Sequence, residues 1–173
     1  MYAATRMLAE RTKMRQDESL RNHVIEKLGY WTGDDPSELT IRVEGAVVTI
    51  MGEVGSYARK VSILRVASRV RGIRSVFEAI RVNPSLADWR TDGELTASAI
   101  MELAWNISVP GHEIRVRARA GVLTLSGTVK SSYQAYVAGQ ALETLPGLVD
   151  IVNRIEIELP ALKLMFRRLF AHH

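Results

Sequence analysis

Residues 17–82 return, without a gap, 75 positions further along the chain. Asp17 matches Asp92, Leu20 matches Leu95, Ile25 matches Ile100, Leu28 matches Leu103 and Glu38 matches Glu113. The register continues through Arg42/Arg117, Val47/Val122, Thr49/Thr124, Gly52/Gly127, Val54/Val129, Ser56/Ser131, Gly72/Gly147 and Ile80/Ile155. One spacing held across apolar, turn and polar positions marks tandem copies of a single folded unit. Each copy has roughly 65–70 residues, near the lower limit for independent folding, so each needs an efficient core of its own. The 173 residues therefore divide into a basic extension (1–16), a first repeat (17–83), a linker (84–91), a second repeat (92–159) and a C-terminal segment (160–173).

The formal charge of +4 is unevenly placed. Residues 1–16 carry Arg6, Arg11, Lys13 and Arg15 against Glu10, and the segment from Pro160 carries Lys163, Arg167 and Arg168, so each end amounts to +3. The first repeat comes to +1 and the second to −3. A nucleic-acid domain concentrates its positive charge on the folded surface, so no nucleic-acid partner is expected. Cysteine is absent, which removes disulfides and thiolate metal sites. The N-terminal stretch is interrupted by charge every few residues and lacks the apolar run of a secretory signal. As written, the chain is expected in the cytoplasm, or in the periplasm if an export signal has been trimmed.

Each repeat reads helix, strand, strand, helix, strand. Thr91 and Glu94 form a capping-box pattern ahead of Leu95, Ala99, Ile100 and Leu103 at helical spacing. The first copy offers Asp17 or Ser19 as cap, then Leu20, Val24, Ile25 and Leu28, with Gly29 as a stop; the basic residues before Asp17 are read as partly helical. Two alternating strands joined by a Gly-containing turn follow, 39–44 with 47–54 and 114–119 with 122–129, a hairpin pattern. Gly52 and Gly127 fall inside strands, where glycine signals a bulge or a close backbone approach. The second helices start at Ser56 and at a Ser131/Gln134 capping-box pattern. Their inner stripes are read as Val61, Leu64, Ala67 and Val70, and as Tyr136, Leu142 and Leu145. The last strands span 76–82 and 151–157. A strand–helix–strand crossover is right-handed with parallel strands, so each repeat is predicted to be a three-stranded mixed sheet with two helices on one face.

These residues resemble the BON (bacterial OsmY and nodulation) domain family. The run Gly121-Val-Leu-Thr-Leu-Ser-Gly-Thr-Val129, followed by Leu145-Pro-Gly-Leu-Val-Asp-Ile-Val-Asn153, carries the likeness best. The first copy departs at Met51 and at Glu78, where the second has Asn153, and its hairpin turn lacks the common Asp/Gly pair. The resemblance spans about residues 17–159 and implies an α+β fold of two tandem αββαβ domains. It also implies modules without enzymatic activity or cofactors, tied to envelope maintenance, osmotic stress and anionic phospholipid, with one potassium-binding relative.

The candidate sites are few. Arg115, Arg117 and Arg119 project from one strand face about 6–7 Å apart; they form either a solvated outer face guarding the sheet edge or a ladder for phosphate headgroups. Arg59, Lys60, Arg65 and Arg69 are read as the exposed side of a helix. In the C-terminal segment, Leu162, Met165, Phe166, Leu169 and Phe170 fall at i, i+3, i+4, i+7 and i+8, while Lys163, Arg167 and Arg168 lie elsewhere. That predicts a short basic amphipathic helix, which either docks on a protein surface or enters a membrane interface through Phe166 and Phe170. His23, His112, His172 and His173 have no ligand partner at helical spacing, and Asp34, Asp35 and Glu38 do not match a calcium loop. Thr49/Thr124 are explained by strand propensity. Trp31, Trp89 and Trp105 are placed at loops or element ends, between domains or at an interface. No nucleophile–base pair can be assembled, so no enzyme is expected. The functional expectation is a non-catalytic adaptor for an anionic membrane surface; the alternatives are an oligomer-forming interaction module and a cytoplasmic potassium sensor.

Overall fold

A computed structural model describes the backbone of residues 2–32 and 39–158, and side chains over 6–30 and 39–158. The C-terminal candidates Lys163, Phe166, Arg167, Arg168 and Phe170, the acidic loop residues Asp34, Asp35 and Glu38, the side chain of Trp31, and His172 and His173 lie outside those ranges. The chain divides into two compact units, Met1–Ser85 and Leu86–His173.

The first unit contains α1 (Tyr2–Thr32), β1 (Leu39–Glu44), β2 (Val47–Val54), α2 (Tyr57–Ser68) and β3 (Ser75–Val82). The second contains α3 (Asp92–Trp105), a 3-10 turn (Gly111–Glu113), β4 (Ile114–Arg119), β5 (Val122–Val129), α4 (Ser132–Ala141) and β6 (Asp150–Ile157). Each unit has its own sheet, ordered β1-β2-β3 and β4-β5-β6. The hairpin pairs are antiparallel and the crossover pairs parallel, as the sequence predicts. The register itself repeats: Ile41 faces Ile50 as Val116 faces Leu125, and Gly52 faces Ile80 as Gly127 faces Ile155.

The hairpins close through two-residue turns with both central residues at positive φ: Gly45 (59°) and Ala46 (65°), then Ala120 (51°) and Gly121 (75°). That is the type I′ geometry whose twist matches the strands. One alanine per turn sits in the left-handed region, which a Cβ disfavours. Gly127 adopts φ 139°, and a Cβ there would collide with the Glu113 carbonyl oxygen. The close approach inferred from an in-strand glycine is thus present.

The core of the first unit is Val24, Leu28, Ile41, Val48, Ile50, Val54, Ile63, Ala67 and Ile80. The second buries Leu95, Ala99, Leu103, Ile114, Leu123, Leu125, Val129, Ala138, Leu142 and Leu148, along with Val109. These side chains fill the layer between sheet and helices, and burying each valine, leucine or isoleucine stabilises by about 1.5–3 kcal/mol.

Several sequence expectations are corrected. Gly29 does not stop the first helix and Asp17 does not cap it, because α1 runs on continuously. The buried stripe of α2 is centred on Ile63 and Ala67 rather than Val61. Tyr136 and Ile100 point outward, 60% and 52% exposed, while Leu95, Ala99 and Leu103 of α3, and Ala138 with Leu142 at the end of α4, face the core. Thr91 and Glu94 form the full capping box. Ser131 caps α4, but the Gln134 amide oxygen accepts from Lys130 N–H instead of from the cap residue.

Candidate functional site

The helices leave one face of each sheet free. On the second sheet, Arg115, Arg117 and Arg119 are exposed while Ile114 is buried and Val116 and Ala118 are half-buried, so the alternation expected for this strand is present. Register adds what β4 alone does not reveal. Arg115 pairs with Ser126 of β5, which pairs with exposed Arg154 of β6. Strands lie about 4.8 Å apart, so Arg154 stands about 10 Å from Arg115 across a small serine. Arg117 continues through Thr124 to Val152, and Arg119 through Val122 to Asp150. Four arginines thus share one face of the sheet with Ser126, Thr124 and Val122, and Asp150 and Glu156 lie toward its β6 rim.

The matching face of the first sheet is different. Its rows read Thr40–Met51–Ala79 and Arg42–Thr49–Phe77, with Phe77 63% exposed. Arg42 matches Arg117, whereas Thr40, Glu44 and Ala79 stand where the second repeat has Arg115, Arg119 and Arg154.

Two polar devices position these faces. Asp17 accepts from Gly45 N–H (3.0 Å) and Ala46 N–H (3.3 Å), and Asp92 accepts from Ala120 N–H (2.9 Å) and Gly121 N–H (3.0 Å). An aspartate on the first helix therefore clamps the hairpin turn in both copies. The Gly121 and Ala120 N–H groups hold the Asp92 carboxyl below its ordinary value, with Arg119 contributing. The second device joins the last strand to the second helix. Asn153 donates to the Ala135 carbonyl (2.7 Å) and accepts from Ile155 N–H (3.1 Å). In the first copy Glu78 accepts from Ile80 N–H (3.0 Å) and pairs with Lys60 Nζ at 3.0 Å. Lys60, at 12% side-chain exposure, is therefore not part of a solvated helix face as its sequence context suggested. Burial pushes the Glu78 carboxyl up, but the Ile80 N–H and Lys60 outweigh it and leave it lowered.

Arg59 is half-buried rather than exposed, while Arg65 of α2 and Arg69 at its C-terminal end border a groove between α1 and α2 of about 740 Å³. Its lining includes His23, Lys27, Arg65, Arg69 and Arg71 over Val66 and Val70. The sequence singles out His23, Arg65 and Arg69 separately, and only the packing of α1 on α2 brings them together with Lys27.

Of a third surface the sequence marks only Trp89 and Trp105, as interface candidates. Ala97, Ile100, Met101, Ala104 and Trp105 follow i, i+3, i+4, i+7 and i+8 on the side of α3 opposite its buried Leu95, Ala99 and Leu103. Trp105 is 81% exposed, and Met101, Ile107 and Trp89 are also exposed. Helix α3 is apolar on both sides, so a search for one stripe stops at the inner one. Among the described residues no group of three or more His, Asp or Glu could hold a metal ion, and no helix is long and apolar enough to cross a membrane.

The family profile described as BON domain matches residues 16–84 and again 91–158. Osmotically-inducible protein Y of Escherichia coli (strain K12) is 27% identical over 124 residues, covering 69% of this chain and 62% of that protein. The chain thus spans less than two thirds of that relative's length. CdsD, a structural protein of the type III secretion system of Chlamydia trachomatis, is similar at 10% identity with a TM-score of 0.38, over 86% of this chain and 98% of the solved one. The CdsD C-terminal domain is similar at 10% identity with a TM-score of 0.36, over 79% and 98%.

Proposed function

The chain belongs to the BON domain family, twice over, and we propose that this tandem member is a non-catalytic adaptor of the stressed cell envelope that attaches to anionic phospholipid. The observation that carries this reading is the exposed quartet Arg115, Arg117, Arg119 and Arg154 on one face of the second sheet. Guanidinium groups match phosphate oxygens in geometry and charge. A sheet face is flat on the scale of a headgroup lattice, so the four can engage together. The link to osmotic stress rests on similarity to the osmotically inducible relative. Segment 160–173 is assigned the apolar step on its sequence pattern, with Phe166 and Phe170 entering the interface beside Lys163, Arg167 and Arg168. The inner and outer sides of a membrane both offer anionic lipid, so the reading holds in cytoplasm or periplasm.

Vesicle co-sedimentation tests it. The full chain is expected to bind phosphatidylglycerol vesicles and not phosphatidylcholine vesicles. Arg117→Glu with Arg154→Glu is expected to weaken binding by at least about thirty-fold, at about 1 kcal/mol for each cation lost, with the two added carboxylates lowering it further. Equal binding to both vesicle types sinks the reading.

The outward face of α3 favours a second reading, self-association. It is broad and apolar, and α3 contains Asp92, Glu94 and Glu102 but no Lys or Arg, which suits another protein surface better than an anionic bilayer. Met101→Lys with Trp105→Ser should then shift the sedimentation coefficient of the chain toward that of a monomer.

A further inference from the structure

We infer that the groove between α1 and α2 of the first repeat is a binding site for a phosphate-bearing anion, separate from the arginine sheet face. Its volume, about 740 Å³, lies within the range of small-molecule sites. Lys27 on α1 and Arg65, Arg69 and Arg71 on and just after α2 converge on it, with His23 beside them. Ser62 adds a hydroxyl, and Val66 and Val70 supply an apolar surface that accommodates the carbon portion of an anionic amphiphile.

The second repeat provides an internal comparison. At the positions of His23, Lys27, Arg65, Arg69 and Arg71 it has Ser98, Glu102, Gln140, Thr144 and Pro146. The backbone frame is kept and every cation is gone, so the fold itself does not require the charges. Basic side chains near the end of a helix do complement its dipole, and loss of stability alone therefore says nothing about a ligand. Phosphate chemistry is favoured over a carboxylate partner because three guanidinium groups and an ammonium around one groove match a multiply charged, several-oxygen anion.

The test uses the full chain and the residues of the other repeat. Lys27→Glu, Arg65→Gln and Arg69→Thr together convert the groove to its counterpart. The melting temperature is measured with inorganic phosphate and with chloride at equal ionic strength, and binding to phosphatidylglycerol vesicles is measured in parallel. Stabilisation of the unmodified chain by phosphate over chloride, abolished by the triple variant, identifies a soluble phosphate ligand. Absence of that effect, with vesicle affinity lowered about a hundred-fold by the triple variant, identifies a lipid headgroup. The proposal is overturned if the variant alters only the ligand-free melting temperature, or if it leaves both binding measurements unchanged. Where the ligand is soluble phosphate, Arg117→Glu with Arg154→Glu separates this site from the sheet face by leaving the phosphate response intact; where it is a headgroup, the two sets of substitutions lower vesicle affinity additively. The reciprocal variant, Glu102→Lys with Gln140→Arg and Thr144→Arg, is expected to add a phosphate response to the second repeat.

Discussion

Glu78 and Asn153 occupy the same place in the two repeats and solve the same problem with different chemistry. An asparagine carries both a donor and an acceptor, so Asn153 reaches the Ala135 carbonyl and still accepts from Ile155 N–H. A carboxylate accepts only. Glu78 keeps the strand N–H but needs a cation on the helix, and Lys60 stands where the second repeat has Ala135. Lys60→Ala or Glu78→Asn alone should each destabilise, and together they should recover most of the loss, with a coupling of about 1 kcal/mol in a urea double-mutant cycle. Additive losses would refute the exchange. The Glu78 carboxyl is lowered in the folded chain from its ordinary value of 4.5. Its contribution is therefore complete above that value and disappears as pH falls through the folded-state value. Asp92 behaves likewise below its ordinary 3.8, so Asp92→Asn should flatten the acid limb of the stability profile. The turn alanines offer the opposite change. Ala120→Asn creates the Asn-Gly pair that type I′ turns favour and should raise stability by about 0.5–1 kcal/mol, read from the urea midpoint.

At the scale of elements, the strands were legible because alternation has one phase and the in-strand glycines fix it. Gly127 illustrates why: its missing Cβ makes room for the Glu113 carbonyl, so Gly127→Ala should destabilise by about 1–3 kcal/mol in the same denaturation assay. Helices were legible in type and less so in phase. In α4 the small Ala138 is buried while Tyr136 is exposed, and a reading that weights side-chain size chooses the tyrosine. Burial of Leu142 predicts that Leu142→Ala loses about 2–5 kcal/mol whereas Tyr136→Ala loses little, a difference that thermal denaturation would register. The continuation of α1 ahead of Asp17 was only partly legible, because that stretch has no apolar stripe to announce it. The aspartate expected as a helix cap serves the neighbouring hairpin instead. Of the candidate site, the three arginines of β4 follow from alternation alone. Arg154 joins them only through strand order, and the α1–α2 groove only through helix packing, neither of which is written in local spacing.

For the molecule as a whole, duplication kept the interior frame and released the exterior. Equivalent core positions hold aliphatic groups in both units, while the cations of the groove and of the sheet face, Arg42/Arg117 excepted, have neutral, acidic or apolar counterparts in the other. The charge balance of +1 against −3 in the two repeats therefore understates the local contrast, since the more acidic repeat carries the arginine face. Electrostatic attachment weakens as the Debye length shrinks from about 10 Å at 0.1 M to about 3 Å at 1 M salt. Vesicle binding should fall steeply over that range if the sheet arginines govern it, and salt-resistant binding would assign the attachment to apolar contacts. A last consequence follows from position 78/153. Strands β3 and β6 end their sheets, and in both a side chain satisfies the N–H of the residue two places on. A backbone donor already engaged by its own chain offers little to an incoming extended peptide. Lengthening of the sheet by a partner is thus opposed at that one donor of β3 and of β6, while β1 and β4 form the other border of each sheet.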